Sequence, residues 1–147
     1  MMEFLIYLSP IGKEIVHDLI AAKFNVRENI GYCSNTNNYG YTQSNKNFVI
    51  CTKNIKNGTR DLEGQILQTI SHESTHAAQV CKGNIPIGIP WNKMILSRER
   101  QEDVKRSLDT FNNSINSKFY RMEYEAYWMQ ENPEMVNSYV KKLCLNK

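Results

Sequence analysis

The sequence predicts an α+β fold in a single domain, residues 1–147, with helices in the majority and one small antiparallel sheet. Three observations carry this expectation. Apolar residues recur at helical spacing towards both ends of the chain, as Ile11, Ile15, Leu19 and Ala22 and again as Met135, Val136, Tyr139, Val140, Leu143 and Cys144. Between them, FVICT at 48–52 has the apolar and β-branched composition of a strand. The stretch ILQTISHESTHAAQ at 66–79 sets polar residues into an apolar background and is too long for a strand, so it reads as a buried helix.

In chain order, Ser9 and Pro10 open a first helix running to Phe24, with Ser9 as N-cap and proline in the first turn. Residues 30–34 and 47–54 read as strands. Between them lies a polar loop or irregular hairpin rich in Asn, Ser and Thr, with a turn at Asn38, Tyr39 and Gly40. Asn57 and Gly58 form a second turn that leads into the central helix, and Gly83 ends that helix as its C′ residue. Pro86, Gly88 and Pro90 keep 83–93 out of helix, while Ile85, Ile87, Ile89 and Trp91 hold this loop against the body or along a cleft. Helix resumes over 97–131, with a break near Asn112–Asn116, and a last helix covers 133–145.

Composition narrows the setting. The chain has 41% apolar and 22% charged residues, as soluble globular proteins do. A net charge of +3 without a basic run does not point to nucleic acid, and no apolar run approaches membrane-spanning length. The N-terminus MMEFLIYL lacks a basic leader and a small-residue cleavage site, so the expectation is a cytoplasmic monomer. Cys33, Cys51, Cys81 and Cys144 form no CxxC pair, and in a reducing compartment they are expected as free thiols. If oxidised, Cys33–Cys51 and Cys81–Cys144 are the pairs that the element order favours.

The chemistry is concentrated in HESTH, an HExxH pattern. His72 and His76 are four apart, on one helix face and about 6 Å apart along the axis. Both imidazoles can then reach one Zn2+ at about 2.0–2.1 Å. Glu73 points to the edge of that face, as a general base requires. His17, in the first helix, is read as a solvated residue. A catalytic zinc takes three protein ligands, and no histidine follows His76. Either the third is a carboxylate or the site is incomplete, and Glu123 and Glu125 lie in the one downstream segment where acids sit among buried residues. They point about 200° apart. Glu123 shares a face with the small Ala126, which permits close approach to the zinc helix, so Glu123 is the expected ligand. Glu125 is the alternative ligand or a partner orienting a histidine.

HESTH followed, 47 residues after His76, by EYEAY resembles the gluzincins, zinc metallopeptidases of HExxH…E type. Within them the chain is similar to small single-domain metallopeptidase-like proteins of cyanobacteria and their phages, which suggests a phage-encoded protein. The resemblance implies a minimal zincin fold: N-terminal helix, small sheet, HExxH helix, then C-terminal helices carrying the third ligand. It implies a peptidase acting on a peptide or protein with a zinc-activated water and Glu73 as base. It also implies that the strand before the zinc helix, 48–52, pairs with extended substrate. Many gluzincins carry an acid four residues after the ligand glutamate; here that residue is Tyr127. Tyr120, Tyr124 and Tyr127, with Tyr39 and Tyr41, are the candidate oxyanion donors. The competing expectation is an inactive or latent zincin-fold module with a structural role, in which residues 1–8 cover the cleft.

Overall fold

The computed structural model describes residues 2–110 and 117–146. Among them the chain forms a 3-10 turn (Glu3–Tyr7), α1 (Pro10–Ala21), β1 (Asn25–Glu28), α2 (Gly31–Ser34), β2 (Gly40–Thr42), β3 (Asn47–Ile50), α3 (Thr52–Gly58) and α4 (Leu62–Cys81). A 3-10 turn (Trp91–Lys93), α5 (Arg98–Thr110), α6 (Lys118–Met129) and α7 (Pro133–Val140) follow, the last continuing as a π-turn (Lys141–Leu145). The architecture is α+β, as expected. The break expected near Asn112–Asn116 lies outside the described residues. No helix among the described residues is long and apolar enough to cross a membrane.

Helix α1 begins at Pro10 as expected but stops short of Phe24. Lys23 turns left-handed (φ 72°), its N–H bonds to Ile20 O, and Phe24 N bonds to Leu19 O. This 5→2 and 6→1 pair is a Schellman closure, and it turns Phe24 into the core. The same closure ends α4. There Gly83 (φ 111°) is the C′ residue, with Gly83 N on Val80 O and Asn84 N on Gln79 O.

The sheet corrects three expectations. It has the order β1-β3-β2, with β1 parallel and β2 antiparallel to β3, so it is mixed. Residues 30–34 are not a strand: Gly31–Ser34 is one helical turn, although Ile30, Tyr32 and Cys33 have strand composition. The expected strand at 47–54 ends at Ile50, and Thr52 opens α3. Strands β1 and β2 are three to four residues long and largely polar, so pairing with β3 and not propensity makes them strands. Because β3 is flanked on both sides, residues 48–52 cannot pair with a substrate. The edges are β1 and β2, and of these β2 lines the cleft described below.

Helix α4 runs through the middle and packs on α1, α6, α7 and β2. The core around it contains Phe4, Ile15, Leu19, Phe48, Ile50, Ile66, Ile70, Met129, Val136 and Val140. The N-terminal segment belongs to this core. Phe4 is fully buried, and the Glu28 carboxylate accepts from Glu3 N (2.7 Å) and Phe4 N (2.9 Å). Residues 2–8 therefore do not cover the cleft described below, contrary to the latency expectation. Across α1 and α7, buried Asp18 accepts from Asn137 and pairs with Lys141. Burial would raise the Asp18 carboxyl, but Lys141 and Asn137 outweigh it and hold it below the usual range.

All four cysteines are paired, Cys33–Cys51 and Cys81–Cys144, where free thiols were expected. The first ties α2 to the end of β3, and the second ties the end of α4 to the C-terminal turn. Closing loops of 18 and 63 residues stabilises by about 3 and about 4 kcal/mol on a chain-entropy estimate. Such bonds persist in oxidising compartments and are rare in a reducing cytosol.

Candidate metal centre

The site is built where α4 and α6 touch. Helix α4 is started by Asp61, whose carboxylate accepts from Gly64 N at 3.1 Å. Helix α6 is started by Ser117, whose hydroxyl accepts from Tyr120 N. Ala126 on α6 is fully buried, and its small side chain lets the two backbones approach. The spacing of HESTH does what helix geometry requires. The His72 and His76 rings lie on one face, 5.1 Å apart between centroids and inclined at 74°.

Glu123 reaches both rings. Its Oε1 is 2.7 Å from His76 Nε2 and its Oε2 is 3.9 Å from His72 Nε2. One ligand atom from each of the three residues lies within 4.8 Å of the others. Neighbouring ligands of a tetrahedral zinc with bonds of about 2.0–2.1 Å are about 3.3 Å apart, a separation that the two distances bracket. Two imidazoles and one carboxylate are also a donor set that suits zinc.

Both rings are held from behind. The Nδ1 atom of His72 is 2.9 Å from Gln130 Oε1, and that of His76 is 2.7 Å from Gln79 Oε1. Each Nδ1–H donates to a carbonyl, which turns each Nε2 towards Glu123. Glu73 is buried beside them. The Thr42 hydroxyl on β2 shares its proton between Glu73 O (2.9 Å) and Glu73 Oε1 (3.1 Å). Gly40 permits the close pairing of β2 with β3, since a Cβ there would sit 2.6 Å from Val49 O.

Glu125 takes no part in the metal cluster. Its buried carboxylate faces the opposite way and accepts from Gln79 Nε2 (2.9 Å), Ile87 N (2.8 Å), Gly88 N (2.8 Å) and Ile89 N (3.1 Å). It is therefore not an alternative ligand, and it meets His76 only through Gln79. Gln79, Gln130 and Thr42 escaped sequence reasoning. Gln79 had a signal, since it lies three residues after His76 and within reach of its ring.

The cluster opens into a cleft of about 950 Å³ between β2 and α5. Tyr39, Tyr41 and Tyr127 line it, but Tyr120 and Tyr124 do not. Tyr120 stacks on Trp91 at a centroid distance of 5.9 Å and Tyr124 meets it edge-on at 5.0 Å, so both rings are engaged outside the cleft. The Tyr127 ring abuts His72 at 4.6 Å, and its hydroxyl lies 3.4 Å from Ser107 Oγ. Burial pushes the Tyr127 phenol up. Asp103 pairs with Arg100 and Arg106 on the α5 wall. His17 lies exposed on α1, away from the cleft.

Without metal, His76 and Glu123 form an ion pair. Burial would pull the His76 imidazole below its ordinary 6.5, but the Glu123 charge and hydrogen bond outweigh it, with Glu73 and Gln79 adding, and hold it at about 9. Burial would raise Glu123, but the His76 charge and hydrogen bond, with His72 and Ser107, bring it from 4.5 to about 2. The His76 contribution to stability is complete below pH 6.5 and is lost as pH rises towards 9. The Glu123 contribution is complete above pH 4.5 and is lost as pH falls towards 2. Melting temperatures of chelator-treated protein should therefore be highest between pH 4.5 and 6.5 and fall on either side. A Glu123→Gln variant should flatten the alkaline limb.

No curated protein and no solved structure matches the chain. The sequence profile of a domain of unknown function, DUF8637, matches residues 4–145, and the chain belongs to this family.

Proposed function

We propose that the protein is a zinc-dependent peptidase of gluzincin type on a minimal zincin-like scaffold. One observation carries the reading. Three ligand atoms from His72, His76 and Glu123 converge within 4.8 Å beside buried Glu73, at the base of an open cleft. Zinc held there supplies Lewis acidity towards a water molecule and towards the carbonyl of a bound peptide.

The chain's own residues then have distinct tasks. Thr42 holds Glu73 Oε1, which leaves Oε2 to take a proton from the attacking water and to hand it to the leaving amine. Tyr127, packed on His72, is the tyrosine assigned to the carbonyl oxygen, where a preplaced donor stabilises developing charge. An extended peptide lies along the free edge of β2, in place of residues 48–52, and adds a strand by main-chain hydrogen bonds.

The test compares zinc content and hydrolysis of a mixed peptide library for wild type and Glu73→Gln. Glu73→Gln should keep its zinc and lose about 10²–10⁴-fold in rate, the usual contribution of a positioned base. Zinc-loaded wild type that cleaves nothing would replace this reading with a non-catalytic zinc-binding module.

A further inference from the structure

We propose that Gln79 is a positioning residue that fixes which nitrogen of His76 meets the metal and couples that nitrogen to the loop after α4 through Glu125. The inference rests on the metal-site reading above for its affinity arm only.

An amide's oxygen and nitrogen are ordinarily hard to tell apart, so the orientation must come from its partners. Here the partners decide. Gln79 is fully buried, and its Nε2 sits 3.0 Å from Met122 O and 2.9 Å from Glu125 Oε1. Both are acceptors only. Reversing the amide would set its oxygen against two oxygens and lose two buried hydrogen bonds. Oε1 must therefore face His76 Nδ1, at 2.7 Å, and an acceptor there requires a proton on Nδ1. Nε2 is left to project towards Glu123.

Polarity runs one way through this chain. Three loop amides, from Ile87, Gly88 and Ile89, converge on Glu125. Glu125 accepts from Gln79, and Gln79 accepts from His76. A carboxylate drawing on the amide N–H makes the amide oxygen a stronger acceptor, and a stronger acceptor on Nδ1–H makes Nε2 a better donor to metal. Folding of 83–90 thus reaches the site without touching it.

Two variants separate positioning from packing. Gln79→Met keeps volume and helix propensity but cannot accept from His76. Gln79→Glu still accepts from His76 but sets a carboxylate against Glu125. In competition with a chromophoric chelator, Gln79→Met should bind zinc about 10–100-fold more weakly than wild type. Gln79→Glu should melt lower than Gln79→Met yet bind zinc more tightly. A residue that only packs would make affinity follow melting temperature, and that ranking, or wild-type affinity in Gln79→Met, overturns the proposal. A second arm needs no zinc. In metal-free protein with 15N-labelled histidine, His76 Nδ1–H should give a slowly exchanging downfield imidazole proton that disappears in Gln79→Met. Its absence from wild type overturns the inference by itself, whereas wild type that shows this proton but binds no zinc overturns only the metal reading.

Discussion

Glu123→Ala should weaken zinc binding more than a hundredfold, the largest effect expected of any single substitution outside HESTH. Structural zinc sites with four ligands bind with about 10–16 kcal/mol, so one ligand is worth on the order of 3 kcal/mol. In the proposed site Glu123 is also the one anionic member of the His72, His76 and Glu123 set, and it reaches both rings, at 2.7 and 3.9 Å. Its loss leaves two imidazoles on one helix turn, which are still able to hold metal weakly. Metal content by mass spectrometry after dialysis, beside His76→Ala, checks this. Retention of zinc in Glu123→Ala with loss in His76→Ala would remove Glu123 from the ligand set.

Glu125→Gln should cost about 3 kcal/mol of stability although it changes no volume. Four donors surround the Glu125 carboxylate: Gln79 Nε2 and Ile87 N at one oxygen, Gly88 N and Ile89 N at the other. Whichever way a glutamine turns, its NH2 faces two donors, and each lost buried bond costs about 1–3 kcal/mol. For a domain of this size that lowers the melting temperature by roughly 10 °C. Thermal unfolding of metal-free wild type and variant measures it. A change within about 2 °C would mean that the loop 83–90 is held by its apolar contacts and not by Glu125.

How much of this could be read from the sequence follows from which forces are local. The two histidines share a face because a helix repeats every 3.6 residues, and no tertiary information is needed for that. The choice of Glu123 over Glu125 also needed only the helix period and the small neighbour Ala126. The bonds of Glu125 to the loop were hidden because they depend on residues 87–89, which lie between Pro86 and Pro90 and close back through Gly88 in left-handed conformation (φ 99°). The sheet was misread for a similar reason. Asn25–Glu28 and Gly40–Thr42 are strands only through β3, and the order that makes β3 central cannot be seen in any one segment. Residues 30–34 carry strand-type side chains, but Cys33 is drawn to Cys51, and its N–H bonds to Ile30 O in a single turn. The cysteine pairs themselves depend on redox setting, which residue spacing does not encode.

The two ends of α4 are secured very differently, and this gives the helix a direction of loosening. Its C-terminal end is closed by Gly83 and Asn84, bonded covalently to Cys144, and packed where Gln79 meets Glu125. Its first turn is exposed and capped by one carboxylate, Asp61, and the helix enters the core only from Ile66 onwards. Transient opening should therefore start at the first turn, at Leu62, and an opening that goes on past Ile66 and Ile70 should reach His72 before His76. Metal exchange should accordingly proceed through a state in which His72 has let go while His76 and Glu123 keep their places.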